Sequence, residues 1–208
     1  LWIPRLRREL QEAEALYNVK TLLGAEIGIA SKDGRLFAEA HELRKLDFVL
    51  AADHIFPGIP YEYTNGIFFK GPILEGLSGD EILRVWADGF LGVMKNPLVD
   101  AIAHPGYLLL VEGLIKDPER EIPRGLKEEI AEEAVRRKVA IEVNSGCRLP
   151  DMEFLRLCVK KGVKFSLGSD AHKPGEIGCI NWGLEALAEA GATDEDLIDL
   201  DFLAKRRP

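Results

Sequence analysis

Five side chains in this sequence have the types and the spacing to hold metal ions: Glu26, His54, His104, Asp170 and His172. Glu26 lies within the apolar run 21–29. His54 follows the run 46–52, His104 follows 99–103, and Asp170 with His172 follows 163–167. Imidazole nitrogen and carboxylate oxygen together suit zinc, manganese or iron, and a carboxylate can bridge two ions. The chain has four histidines, and three of them occupy such positions. A lone histidine after a strand is more often a hydrogen-bonding residue than a ligand, so the weight rests on the set and its carboxylates. Glu26 carries much of it, because a carboxylate in an apolar run is costly unless paired or metal-bound. Glu142 has the same context within 139–143, and the sequence leaves open whether it faces the centre or a helix. His41, among charges in Ala40-His41-Glu42-Leu43-Arg44-Lys45, reads as a solvated helix residue.

The elements that must position these residues follow from periodicity. Apolar side chains at Ile3, Leu6, Leu10, Ala13 and Leu16 recur at the spacing of one helix face over 3–17. Short apolar runs at 21–29, 46–52, 99–103, 139–143 and 163–167 read as buried strands. Helices are expected over 78–94, 124–137, 151–161 and 182–190. Ser78 with Glu81 offers a capping box for the first of these, and Thr193 with Glu195 and Asp196 caps a last helix. Strands alternating with amphipathic helices indicate a mostly parallel sheet or barrel clad in helices. In such folds the residues after the strands converge on one face, where active sites form. The stretch 55–77, rich in Gly, Pro and aromatics, is the expected long loop where a substrate lid would sit. The charged stretches 116–124 and 127–138 read as a solvated loop and a solvated helix face.

Bulk properties narrow the class. With 208 residues and 47% hydrophobic content, residues 1–208 are expected to form one α/β domain with a sizeable core. No apolar run reaches the ~20 residues needed to span a bilayer, and the charged start does not resemble a signal peptide. Three scattered cysteines, Cys147, Cys158 and Cys179, suggest reduced thiols in a cytoplasmic protein. A net charge of −8 speaks against non-specific nucleic-acid binding, which draws on a positive surface.

Five segments in order resemble the PHP (polymerase and histidinol phosphatase) family. They are Gly24-Ala25-Glu26-Ile27-Gly28-Ile29, Leu46-Asp47-Phe48-Val49-Leu50-Ala51-Ala52-Asp53-His54, Ile102-Ala103-His104-Pro105-Gly106, Ile141-Glu142-Val143-Asn144-Ser145-Gly146, and Gly168-Ser169-Asp170-Ala171-His172 with Pro174 and Gly178. The resemblance implies a distorted seven-stranded (β/α) TIM-like barrel holding up to three divalent ions. It implies that Glu26, His54 and His104 serve one ion, that Glu26 bridges to a second also bound by Asp170, and that His172 serves a third. It further implies a metal-dependent hydrolase of phosphate monoesters, of the histidinol-phosphatase or nucleotide-phosphatase kind, acting on a small phosphorylated substrate. Arg148 is a candidate phosphate clamp, since guanidinium matches phosphate oxygens bidentately; a surface salt bridge is the equal alternative. Two competing readings share the fold: a phosphodiesterase or nuclease on nucleic-acid ends, and a non-catalytic binding subunit.

The sequence departs from the family pattern at its start. The His-x-His segment and the second strand ending in Thr-Asp-His have no counterpart, so the first two βα units are expected to be absent from this chain. Roughly 40 to 60 residues would make them up. A longer protein, a partner that completes the barrel, or a degenerate member that keeps one ion or none would each account for this. Composition does not select the metal, the substrate or the oligomeric state.

Overall fold

The structure is a computed structural model that describes residues 2–59, 61–64, 68–72, 74–199 and 201–203. Five strands form one parallel sheet: β1 (Gly24–Gly28), β2 (Phe48–Ala52), β5 (Ala101–Ile102), β6 (Ala140–Asn144) and β7 (Phe165–Gly168), in that spatial order. The register sets Glu26 beside Leu50, Leu50 beside Ala101, Ala101 beside Ala140, and Glu142 beside Ser166. A separate antiparallel pair, β3 (Tyr61–Thr64) and β4 (Phe68–Pro72), follows β2. The expected α/β class with a parallel sheet is found, and the distorted seven-stranded barrel is not seen among the described residues. The described strands make an open five-stranded sheet with β1 and β7 at its edges, and the sheet is not closed.

Packing follows the sequence pattern. Every residue of β6 is buried, as expected of a central parallel strand covered on both faces, whereas β1 at the edge is largely half-exposed. Val49, Ala51, Ile102, Ile141, Val143 and Phe165 are fully buried and form the sheet's share of the core. Helices α3 (Gly79–Val93), α6 (Arg124–Arg137) and α7 (Met152–Lys161) pack on it, with α2 (Ala40–Leu43) between β1 and β2, α4 (Tyr107–Val111) after β5 and α8 (Asn181–Ala190) after β7. Their ends follow local chemistry. Ser78 and Glu81 close the expected capping box on α3, Asp151 accepts the Phe154 amide at the start of α7, and Gly162 ends α7 in a left-handed conformation. The first helix, α1 (Trp2–Tyr17), lays Ile3, Leu6 and Leu10 partly against the core. Arg7 ties it to Asp47, whose carboxylate also accepts the Leu23 amide.

Four expectations need correction. The run 55–77 contains the β3–β4 hairpin instead of being wholly loop; residues 60, 65–67 and 73 lie outside the described residues. Residues 116–124 include a short helix, α5 (Pro118–Glu121), started by Asp117 and Pro118. The face read as solvated along 127–138 is partly buried, because Lys127 is 0% exposed and Glu133 3%. The Lys127 ammonium satisfies its three donors on Glu119 O, Asp151 Oδ1 and Glu153 Oε2 at 2.9–3.1 Å. Arg136 and Arg137 both pair with Glu133. The last expected helix is a short 3₁₀ turn over Asp194–Asp196 carrying the Thr193–Asp196 capping box. No helix among the described residues is long and apolar enough to cross a membrane.

Candidate metal centre

Parallel strands deliver their following residues to a common edge, and three of the sequence candidates meet there. Glu26 projects from β1, His54 stands two residues past the end of β2, and His104 two residues past β5. Their ligand atoms all lie within 4.8 Å of one another, and among the described residues this is the one His/Cys/Asp/Glu group so gathered. Glu26 Oε1 is 2.8 Å from His54 Nε2 and 3.4 Å from His104 Nε2. The two imidazoles are stacked with centroids 5.7 Å apart. Donor atoms around an ion with bonds of ~2.0–2.2 Å in a tetrahedral arrangement stand roughly 3.3 Å from one another. Two imidazoles and one carboxylate at this spacing thus fit a zinc, manganese or iron ion in both chemistry and size.

The three side chains differ in access. His54 is 47% exposed and Glu26 30%, while His104 is 2% exposed, so the centre opens toward solvent on the β1–β2 side. His104 is held in place from several directions. Its backbone is in the left-handed region (φ +27°), which is uncommon for a non-glycine residue and often found at functional sites. Its amide donates to Glu142 Oε2 at 3.0 Å. Its ring packs 4.9 Å from that of Tyr107, and its Nδ1 lies 3.4 Å from Asp53 Oδ1.

The orientation of Glu142, open from sequence, is now settled. It points to the centre, is 5% exposed, and also accepts from Asn144 Nδ2. Gly168 on β7 makes room for it: a β-carbon there would occupy the space of the Glu142 carboxylate.

Electrostatics show a site short of positive charge. Hydrogen bonds with His104 and His54 hold the Glu26 carboxyl down to about 2. Burial pulls the His104 imidazole down, yet Asp53 and Glu26 outweigh it and carry it up to about 10. Burial raises the carboxyls of Asp53 and Glu142. The carboxylates around His104 thus favour a positive charge at this point of the site.

The remaining candidates stand apart from this cluster. Asp170, after β7, is also left-handed (φ +49°) and lies against the turn following β6, where a β-carbon on Gly146 would meet its own at 3.3 Å. His172 is 80% exposed, with Nδ1 2.8 Å from the Asp170 carbonyl and its amide donating to Glu176. Arg148 is exposed in the same turn after β6. Sequence reasoning missed Asp53, which ends an apolar run and could have been flagged by the reasoning applied to Glu26. It also missed Trp86 on α3, whose Nε1–H donates to Asp53 Oδ2 at 2.8 Å.

The Glu–His–His cluster lies at the carboxyl-end side of a parallel α/β sheet, where such folds bind their ligands. Comparison makes that more specific. The fold resembles that of the histidinol phosphate phosphatase from Lactococcus lactis, solved with zinc, L-histidinol and phosphate. The TM-score is 0.64 at 20% identity, covering 95% of this chain and 79% of that one. In sequence the chain is similar to a probable phosphatase of Acetivibrio thermocellus, 32% identical over 171 residues, which is 79% of this chain and 58% of that protein. It is also similar to a probable phosphatase of Caldicellulosiruptor bescii, 30% identical over 74% of this chain and 54% of that protein. The chain therefore spans somewhat more than half the length of these relatives. No family model matches it.

Proposed function

We propose that this chain is part of a PHP-type phosphoesterase that hydrolyses small phosphate monoesters with the help of bound divalent metal. The Glu26–His54–His104 cluster carries the reading, because it joins a side chain of β1 with the residues that follow β2 and β5 into a ligand set that fits an ion. Similarity to probable phosphatases and the shared fold with a zinc-bound histidinol phosphate phosphatase support it. On this reading the open sheet is the larger part of a distorted seven-stranded barrel, and Asp170 and His172 serve further ions beside the first.

Bound at such a centre, a divalent cation supplies Lewis acidity, neutralising phosphoryl charge and lowering the pKa of water toward ~7 in the case of zinc. The chain's own residues do the positioning. His104 forms the rigid back of the site, while Glu26 and His54 line the solvent side from which a phosphate would enter. On this reading Arg148, on the turn after β6, clamps phosphate oxygens bidentately. A histidinol-type or other small phosphorylated substrate is favoured over nucleic acid, in keeping with the net charge of −8.

The test is metal content per chain by elemental analysis after reconstitution with zinc or manganese, followed by phosphate release from histidinol phosphate, nucleotides and short oligonucleotides. At least one ion in wild type, lost in His104→Ala together with phosphate release, is the expected result. A folded wild-type chain that takes up no ion would refute the proposal, as would His104→Ala and Asp170→Ala variants with undiminished hydrolysis.

A further inference from the structure

We infer that Asp53 is a positioning residue of this centre, whose carboxylate holds the His104 imidazole with Nε2 presented to Glu26 and His54, thereby setting how tightly the cluster grips a divalent cation. The inference rests on the metal reading above and adds a residue that the ligand set does not contain.

The geometry is that of a carboxylate behind a ligating histidine. Asp53 directly follows β2, is 3% exposed, and its two oxygens face two different donors. Oδ2 accepts from Trp86 Nε1–H at 2.8 Å, and Oδ1 lies 3.4 Å from His104 Nδ1. Asp53 Oδ1 and His104 Nδ1 are both buried, and neither has a hydrogen-bond partner among the described residues; the nearest polar group each faces is the other. Two buried polar atoms that face each other and nothing else are costly unless they pair. A proton on Nδ1 shared with Asp53 leaves the Nε2 lone pair directed at the Glu26 side, 3.4 Å away, which is the tautomer a metal ligand requires.

Trp86 makes the arrangement rigid. It is 2% exposed and packed edge-on against Phe90 with centroids 5.6 Å apart, so its N–H is a fixed anchor for the far oxygen of Asp53. Glu142 complements this from the other side by accepting the His104 amide. Ring and backbone of one ligand are thus each held by a buried carboxylate.

Asp53→Asn tests this sharply, because it keeps the shape but offers only one oxygen to two donors. Whichever way the amide turns, either Trp86 Nε1–H or His104 Nδ1–H faces an NH₂ group. Zinc affinity measured by chelator competition is expected to fall about 10- to 100-fold, with circular dichroism and thermal unfolding showing a folded chain. Adding Trp86→Phe to Asp53→Asn removes the competing donor and frees the amide oxygen for His104, so part of the lost affinity returns. A merely structural role for Asp53 predicts the opposite, since the second change only opens a further cavity.

His104→Ala separates the two levels of the claim. If wild type binds zinc, His104→Ala loses it and Asp53→Asn binds as tightly as wild type, the role of Asp53 is overturned and the metal centre stands. If wild type binds no zinc, both fall. Should Asp53→Asn fail to fold, NMR of the zinc-loaded wild type decides. A downfield, exchange-protected Nδ1–H signal absent in His104→Ala is expected, and its absence from wild type overturns the inference.

Discussion

Two buried charge clusters in this molecule are built on opposite terms. Around Lys127, on α6, one ammonium meets three oxygens and each of its donors is used. Around His104, at the edge of the sheet, Glu26, Asp53 and Glu142 converge on a single imidazole and its amide, and Asp53 Oδ1 and His104 Nδ1 are left without a full hydrogen bond. The first cluster is closed, and its charges serve to lock α6 to the start of α7. The second has acceptors in excess and an opening to solvent beside His54. A buried cluster whose polar groups all have partners is complete in itself, whereas one with carboxylates in excess and a solvent opening has room for a cation.

Breaking the closed cluster should produce the largest change in stability. Lys127→Ala leaves the largely buried Asp151 facing an emptied space, while Glu153 keeps Arg124, and a loss of about 3–5 kcal/mol is expected in denaturant titration. Zinc affinity should be unchanged, and a fall in it would show that the two clusters are coupled. Breaking the open cluster should do the reverse. His104→Ala removes a ligand outright, so zinc affinity is expected to drop by more than the roughly 100-fold that supporting residues account for, with a smaller effect on unfolding.

The contrast also has a pH dependence. Binding a cation must displace the proton that Asp53 and Glu26 keep on His104 up to about 10. Zinc affinity should therefore weaken as pH falls from 9 to 6, by about tenfold per unit where one proton is exchanged, as isothermal titration at several pH values would show. A flat profile would mean that His104 is not a ligand. The smallest effect belongs to a third kind of charge cluster, the solvated one. Arg84 pairs with Asp88 and Glu129 while 40% exposed, and Arg84→Ala should cost below about 1 kcal/mol.

How much of this could be read from sequence depends on how local the determinant was. Apolar runs and caps are local, so β1, β2, β5, β6 and β7 and the boundaries of α3, α6 and α7 follow from periodicity to within a few residues. The meeting of His54 and His104 follows from their positions just past β2 and β5 once the sheet is parallel, and Glu26 reaches them from within the neighbouring β1. Asp170 and His172 occupy the corresponding place on β7, yet the structure keeps them outside the three-residue group. What escaped was decided at long range. Lys127 looked solvated because its neighbours in sequence are charged, but its partners Asp151 and Glu153 arrive with α7. Asp53 acquires its role from Trp86, 33 residues further on, and from His104 across β5. The β3–β4 pair was hidden by the glycines and prolines that flank it, which resemble loop chemistry.

Gly168 gives the centre a vulnerability of a different kind. It touches no candidate ligand and bears no side chain, yet the Glu142 carboxylate fills the volume any β-carbon there would need. Even the smallest replacement would evict Glu142 and release the His104 amide it holds. In a library of random variants, position 168 should therefore tolerate change as poorly as a ligand does, although no atom of it would ever appear in a coordination sphere. The boundary of the functional site, drawn by tolerance instead of contact, runs out through β7 to a residue whose contribution is the space it leaves vacant.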